Sequence, residues 1–287
     1  MSKPTEIAGL SPAALAREVA PEVVLARLAD VRAVEPKARR ILSARRVHDL
    51  RVALRRLRAA LQLFGAPRSL DRAAKQTQDA LGQVRDRQMR IRWLAGLELT
   101  GIDAVVHGEQ AALANAWAPL HEALATWREH TSAEVARVAP ALRPKGKLAG
   151  GRARRLVRER LARLEHALPE VLAGAPPPAA HRMRIQLKKL RYEAEVAAMA
   201  APEVFGPVVE TAAPLQSLLG DLHDADVREG WALGRAVQAA NDQVPVLLAI
   251  AERARQEREQ LAAKTLARLA TLQTEDPFGR LARLVRG

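Results

Sequence analysis

One stretch of the sequence is present twice, as Val47-His48-Asp49-Leu50-Arg51-Val52-Ala53-Leu54-Arg55-Arg56-Leu57-Arg58 and as Ala180-His181-Arg182-Met183-Arg184-Ile185-Gln186-Leu187-Lys188-Lys189-Leu190-Arg191. The copies align without gaps, and their histidines, several basic positions and the apolar positions coincide. A second pair follows in the same order, Leu81-Gly82-Gln83-Val84-Arg85-Asp86 and Leu219-Gly220-Asp221-Leu222-His223-Asp224. Two ordered matches predict a chain built from two similar units.

The spacing of the two motifs supports a single repeat. The first motif recurs after 133 residues and the second after 138, so a five-residue insertion brings both into one register. The predicted units cover 12–145 and 152–286 within one domain, 1–287. Two copies of a helical bundle commonly pack about a pseudo-twofold axis, so we expect each surface feature to be present twice.

The composition predicts an all-α fold. Strand-favouring residues are scarce, with one Tyr and three Phe in 287 residues, whereas the helix formers Ala, Leu, Arg and Glu dominate. Breaks are predicted at Gly65-Ala66-Pro67 and Gly206-Pro207, and loops at Gly150-Gly151 and 175–178. Periodicity predicts helices at about 12–33, 44–64, 69–82, 85–98, 105–139, 152–173, 179–200, 203–219, 223–241, 245–272 and 278–286.

The charge balance indicates a polyanionic partner. Lys and Arg number 46 against 32 Asp and Glu, which gives a net charge of +14 and a pI near 11.1. Cysteine is absent, which excludes disulfides, thiolate metal sites and cysteine nucleophiles. The first residues lack the apolar core of a signal peptide, and no apolar run approaches the ~20 residues needed to cross a bilayer. We therefore expect a soluble, cytoplasmic protein.

The repeated helix has an almost purely cationic face. At about 100° per residue, the four arginines of the first copy lie within about 80° of His48, opposite a stripe of leucines. The cations are Arg51, Arg55, Arg56 and Arg58, and the second copy presents His181, Arg184, Lys188, Lys189 and Arg191. Like charges three and four residues apart repel. A solvated face is the alternative, but its repetition favours an anionic ligand.

The repeated pattern also includes histidines and aspartates. His48 and His181 share the cationic face, so we predict hydrogen bonding to phosphate, with a structural role as the alternative. Asp86 and Asp224 follow a glycine, and we predict that each caps a following helix. The alternative is that each carboxylate holds a neighbouring arginine in position.

Phosphate groups suit this array, because arginine binds phosphate oxygens bidentately. Nucleic acid is less favoured, since aromatic residues make up 3% of the chain and stacking platforms are correspondingly scarce. No zinc-finger, basic-zipper or RNA-recognition signature is present. A membrane-surface role is disfavoured because the apolar stripes are needed in the core. A phosphate chain without bases fits best.

The paired motifs resemble the CHAD domain, the conserved histidine α-helical domain, over about residues 12–286. The resemblance implies two pseudo-twofold-related four-helix bundles with a basic central channel that binds inorganic polyphosphate, and family members can associate with polyphosphate granules. By matching position it implies a channel lined by His48, Arg51, Arg55, Arg56, Arg58, His181, Arg184, Lys188, Lys189 and Arg191. Candidates for extending the channel are Arg45, Arg46, Arg85, Arg152, Arg155 and Arg158.

Catalysis is not expected. Some family members carry a triphosphate-tunnel barrel, but its Glu-x-Glu-x-Lys motif is absent here. The dipeptides His48-Asp49 and His223-Asp224 are similar to the metal-binding pair of helical phosphohydrolases. A divalent cation prefers several neutral histidines and carboxylates, whereas arginines surround His48 in the sequence. Metal-dependent hydrolysis and a basic nucleic-acid-binding helical protein stay as alternatives, no cofactor is expected, and the oligomeric state is open.

Overall fold

The computed structural model describes residues 5, 7, 10–40, 43–148, 150–173 and 177–286. Over these ranges the chain is all-α, as predicted, with a single isolated β-bridge between Leu15 and Lys147. The helices are α1 (Ala16–Arg40), α2 (Ala44–Leu63), α3 (Arg68–Leu94), α4 (Ile102–Asn115), α5 (Trp117–Thr126), α6 (Ser132–Val138), α7 (Gly151–Leu172), α8 (Pro177–Ala198), α9 (Pro202–Gln238), α10 (Val244–Glu275) and α11 (Pro277–Arg286).

Local chemistry sets the ends of α2, the helix that carries the first motif. The Ser43 side chain accepts a hydrogen bond from the Arg46 amide at 3.4 Å, which caps the helix N-terminus. At the other end, Gly65 has a φ of 71°, in the left-handed region that glycine adopts without strain. The prediction of a helix over 44–64 is therefore confirmed to within one residue.

Two predicted helix breaks are wrong, because α3 runs through 82–85 and α9 runs through 219–223. Gly82 and Gly220 do not have a positive φ, and a glycine within a helix costs only about 1 kcal/mol. The predicted capping by Asp86 and Asp224 is wrong for the same reason, since both lie inside helices. The predicted break at Gly206-Pro207 also lies inside α9.

The predicted long helix over 105–139 is divided. It comprises α4, α5 and α6, with a π-helical turn at Trp127–Thr131 and a 3₁₀ turn at Ala139–Ala141. The Trp127 side chain is 2% exposed, so the wider π turn coincides with the burial of a large aromatic residue. Periodicity alone does not reveal such changes in helix type.

The chain forms two compact units, each assembled from segments that are distant in sequence. The first unit takes its described residues from 1–92, 108–155 and 192–205, and the second takes them from 93–107, 156–191 and 206–287. The division into bundles over 12–145 and 152–286 stays a prediction.

The core of the first unit buries the leucine stripe of α2. Helix α1 packs against α2, and both present residues that are at most 1% exposed: Val23, Val24, Leu28, Val31, Leu50, Leu54, Leu57 and Leu61. Because these leucines point into the core, the opposite face of α2 carries the cations of the first motif outward.

The core of the second unit repeats this arrangement on α8. Met183, Leu187 and Leu190 are at most 1% exposed, and a further cluster joins Leu94, Ile102, Val105, Ala232, Leu247, Ile250 and Ala251.

No helix within the described ranges contains a stretch long and apolar enough to cross a membrane.

We predict that Leu54→Ala and Leu187→Ala each lower the free energy of unfolding by about 2–5 kcal/mol, because each removes a fully buried side chain and leaves a cavity. Leu233→Ala is the control, since Leu233 is 45% exposed and its loss should change stability by less than about 1 kcal/mol. Urea unfolding followed by circular dichroism measures the difference. Equal losses in all three variants would contradict the assigned core.

Candidate anion-binding surfaces

The first basic surface consists of His48, Arg51 and Arg55 on α2 with Arg85 and Asp86 on α3. Burial of the leucine stripe turns the three α2 residues toward the same side of the helix. The Arg85 side chain reaches back to α2, where its Nη1 donates to the Ala44 carbonyl oxygen at 3.4 Å. The surface is therefore formed by two helices of the first unit.

The Arg51 side chain extends from α2 to α3, where its guanidinium contacts the second motif. Its Nη1 is 3.6 Å from Asp86 Oδ1, and a Cβ added at Gly82 would stand 3.8 Å from its Nη2. The Arg51 guanidinium therefore lies directly beside Gly82, at a distance that an added methyl group would fill with ordinary van der Waals contact. The alternative interpretation of Asp86, as a carboxylate that holds an arginine of the basic face, agrees with this contact.

Two buried donors on this surface lack an acceptor. The Nε atoms of Arg51 and Arg55 are buried and have no hydrogen-bond partner among the described residues. A buried donor without a partner costs about 1–3 kcal/mol, and such groups in native proteins call for an explanation such as a bound water or ion. An anion bound here would satisfy both once the two side chains shift to expose these atoms, which are closed to solvent in the unliganded chain.

The first basic surface is strongly positive. Burial, together with the charges of Arg85, Arg55 and Arg51, lowers the pKa of His48, while Asp49 opposes the shift. Burial and the charge of Arg55 likewise lower the pKa of Arg51, against the pull of Asp86. These directions show that the neighbouring cations disfavour further positive charge.

The second basic surface consists of His181, Arg184 and Lys188 on α8 with His223 and Asp224 on α9. The rings of His181 and His223 meet with their Nδ1 atoms 3.2 Å apart and their centroids 4.6 Å apart. A Cβ added at Gly220 would stand 3.9 Å from Arg184 Nε. Arginine therefore lies beside glycine here as it does at Gly82.

Both histidines of the second surface are held neutral near pH 7. Burial, followed by the charges of Arg184, His181 and Lys188, lowers the pKa of His223 to about 4. Burial, Arg184 and Lys188 also lower the pKa of His181. The Nδ1 contact is therefore a hydrogen bond between two neutral rings, in which one Nδ1–H donates and the other Nδ1 accepts.

His223 lies on this surface beside His181, and the sequence interpretation did not include it among the candidate phosphate ligands. The sequence pattern presents it as half of a metal-binding His-Asp pair. The sequence nevertheless contains a signal that His223 belongs to the basic surface, because the repeat aligns His223 with Arg85. In each unit the residue at that position acts on the ring of the motif histidine, His48 or His181.

Arg56 and Arg58, both predicted to bind phosphate, are engaged by carboxylates inside the first unit. Arg56 is 9% exposed, and its Nε is 3.2 Å from Glu195 Oε2. Arg58 Nε donates to Asp71 Oδ1 at 2.7 Å, and its Nη1 reaches Gln78 Oε1 at 3.3 Å. Both side chains are therefore engaged in contacts within the first unit, and the structure does not add them to the first basic surface.

The remaining predicted cations are distributed more widely. Lys189, Arg45 and Arg158 are exposed, and Arg191 is half-buried, whereas Arg46 Nη1 donates to the Lys37 carbonyl oxygen at 3.2 Å. Their role as phosphate ligands stays a prediction.

Arg152 and Arg155 line a separate cavity of about 650 Å³ together with Phe64, Gly65, Ala141, Leu142, Arg143, Pro144 and Lys145. Arg152 also donates to the Gln62 carbonyl oxygen at 3.1 Å, near the C-terminus of α2. Since a helix rises about 1.5 Å per residue, Gly65 lies roughly 25 Å along the chain direction of α2 from His48. These arginines are therefore not part of the first basic surface.

The metal-binding alternative rests on His48-Asp49 and His223-Asp224. In the part of the chain that the structure describes, no group of three or more His, Cys, Asp or Glu side chains is placed to hold a metal ion. The groups that act on the His48 and His223 rings are predominantly cationic. Cations next to a ligand repel a divalent metal ion.

Comparison with known proteins gives one family model and several similar solved structures. The model of the CHAD domain family matches residues 22–233. The crystal structure of the CHAD domain from the plant Ricinus communis is 21% identical, with a TM-score of 0.63, and the match covers 100% of this chain and 96% of that one. PptA from Streptomyces chartreusis is 15% identical, with a TM-score of 0.61 and coverage of 89% and 99%. No curated protein sequence matches.

We predict that the protein loses stability in acid partly through His223. Its pKa is about 4 in the folded chain and about 6.5 in an unfolded one, so the unfolded state takes up the proton first as the pH falls. The free energy of unfolding should decline between about pH 6.5 and pH 4, with no contribution above that window. Urea unfolding at several pH values measures the slope.

The variant His223→Gln should reduce this decline, whereas His107→Gln, at an exposed histidine of α4, should leave it unchanged. An identical acid slope in the wild type and in His223→Gln would show that His223 is not the group responsible.

Proposed function

This chain belongs to the CHAD domain family, and on that premise we propose that it binds inorganic polyphosphate at the first and second basic surfaces without catalysing a reaction. The internal phosphates of such a chain each carry a negative charge and present oxygens that only accept hydrogen bonds. The two surfaces offer guanidinium, ammonium and imidazole groups, which are suited to such oxygens.

The observation that carries this proposal is the pair of buried Nε donors on Arg51 and Arg55. Folding both arginines onto one helix face costs Coulomb repulsion and leaves donors without acceptors. A phosphate oxygen at this position would remove both costs, because it supplies charge and an acceptor together. Asp86 offsets the charge of Arg51 in part but lies 3.6 Å from its Nη1, not at its Nε.

Duplication of the surface favours a long polyanion. Arg51 corresponds to Arg184 and Arg55 to Lys188 in the two motifs. A long phosphate chain has enough phosphates to occupy two such surfaces, whereas pyrophosphate has only two phosphates. The second contact then becomes intramolecular, which raises affinity without any new kind of interaction.

The mechanism of binding is electrostatic. The phosphate chain replaces condensed counterions with Arg and Lys side chains, and the release of those ions drives association. Aromatic residues that would stack on bases are scarce, at 3% of the chain. The protein therefore responds to phosphate density, and association with long polyphosphate would place it on polyphosphate granules in cells that form them.

Binding without hydrolysis fits the charges around the histidines. Hydrolysis of a phosphoanhydride by a metal site needs a cation held by neutral histidines and carboxylates. Here Arg85, Arg51 and Arg55 act on His48, and Asp86 is occupied with Arg51. The same groups that repel a metal ion attract a phosphate chain.

We predict that the variant Arg51→Gln/Arg55→Gln/Arg184→Gln/Lys188→Gln binds long-chain polyphosphate about 100-fold more weakly or worse, because it cannot form four charge-assisted hydrogen bonds. The slope of log K against log salt should also become shallower, by roughly 0.7–0.9 for each phosphate that the variant no longer neutralises. Isothermal titration calorimetry at several salt concentrations measures both quantities.

A matched control removes the same number of charges from exposed arginines outside the two surfaces, as Arg68→Gln/Arg72→Gln/Arg235→Gln/Arg253→Gln. It should retain most of the affinity, since only distant charge is removed. Equal weakening of both folded variants would mean that net charge, and not the two surfaces, determines binding.

We predict that affinity per phosphate rises from pyrophosphate to long-chain polyphosphate and that long-chain polyphosphate outcompetes duplex DNA of equal charge. Polyphosphate has a higher charge density and needs no base recognition, so the difference should persist at two salt concentrations. Fluorescence competition against labelled polyphosphate measures the order. Tighter binding of DNA would favour the nucleic-acid alternative.

A further inference from the structure

The two basic surfaces differ at one position whose side chain acts on the motif histidine, through its charge in the first unit and through direct contact in the second. The second motif places Arg85 there in the first unit and His223 in the second. Arg85 carries a permanent charge near neutral pH, whereas the charge of His223 depends on pH. The repeat therefore places a fixed charge at this position of the first surface and a pH-dependent charge at the same position of the second.

The His181–His223 contact limits how the second surface can meet an anion. In the neutral pair, one ring uses its Nδ1–H to donate to the other ring, so its own Nε2 carries no proton. The accepting ring carries its proton on Nε2. The pair consequently has one Nε2–H donor and one bare Nε2, whose lone pair would repel a phosphate oxygen.

One added proton resolves this mismatch. A proton taken from solvent onto the bare Nε2 makes the donating ring an imidazolium, keeps the hydrogen bond between the Nδ1 atoms and provides two Nε2–H donors. The groups that oppose a positive charge on the His223 ring are the cations Arg184 and Lys188 and the titratable His181 ring, all on α8. In the absence of an anion these cations oppose protonation, and a bound phosphate offsets them.

We propose that the His181–His223 pair takes up one proton when polyphosphate binds the second basic surface, which makes His223 a polyphosphate-binding residue and couples binding to pH. This inference rests on the proposed function. At the first surface the corresponding position holds Arg85, whose charge is fixed, and His48 is the titratable imidazole of that surface.

The expected size of the pH effect on affinity follows from the number of protons that are taken up on binding. Uptake of one proton changes the binding constant by at most about tenfold per pH unit. We therefore expect affinity for long-chain polyphosphate to rise about three- to tenfold between pH 8 and pH 6. Calorimetry in two buffers of different ionisation enthalpy should report uptake of up to about one proton per protein near pH 6–7.

A reciprocal exchange between the repeats tests the assignment. His223→Arg gives the second surface the residue of the first, so affinity at pH 8 should rise and the pH dependence should weaken, with His48 and His181 left as the titratable imidazoles of the two surfaces. Arg85→His gives the first surface the residue of the second, so affinity at pH 8 should fall and the pH dependence should steepen. His223→Gln, which cannot be protonated, should also flatten the dependence. Thermal unfolding of each variant confirms that it is folded.

These measurements distinguish a failure of polyphosphate binding itself from a failure of the histidine pair as the proton-linked group. If the wild type does not bind polyphosphate at any pH, the proposed function fails. If the wild type binds but folded His223→Arg and His223→Gln keep its pH dependence and proton uptake, the histidine pair is not the linked group and the inference is overturned. Titration of the polyphosphate itself is common to all variants and cancels in the comparison.

Discussion

The arrangement of the whole site depends on the burial of one apolar stripe on a helix that is otherwise cationic. Leu50, Leu54, Leu57 and Leu61 are almost fully buried, and the free energy of burying each is of the order of 1.5–3 kcal/mol. A repulsion of a few tenths of a kcal/mol per like-charged pair cannot reverse that orientation. The cations of α2 are therefore held together on the outer face, and α8 repeats the arrangement.

The cationic face is not uniform. At its margins, Arg56 and Arg58 form ion pairs with Glu195 and Asp71, and these pairs neutralise the charges that lie closest to the core. Toward its centre, Arg51 and Arg55 keep buried Nε donors without acceptors among the described residues. Marginal arginines thus stabilise the unit, whereas the central ones favour an anionic ligand.

The repeat and the helical composition were sufficient to predict the fold class, the ends of α2 and the face that carries His48, Arg51 and Arg55. The continuity of α3 and α9 was not predictable, because a glycine stops a helix only when its φ becomes positive, as at Gly65 but not at Gly82. The partners of Arg56 and Arg58 also escaped prediction, since periodicity assigns a face but not the carboxylate that a neighbouring helix presents. The contact of His223 with His181 also escaped prediction, because the two residues are 42 positions apart in the sequence.

A crystal structure of the protein with a polyphosphate chain tests the central claim most directly. Phosphate oxygens should lie within hydrogen-bond distance of Arg51 Nε, Arg55 Nε and Lys188 Nζ, with the leucine stripes unmoved. Phosphates bound instead at other cations, such as those of the Arg152 cavity, with Arg51 and Arg55 uncontacted, would contradict it.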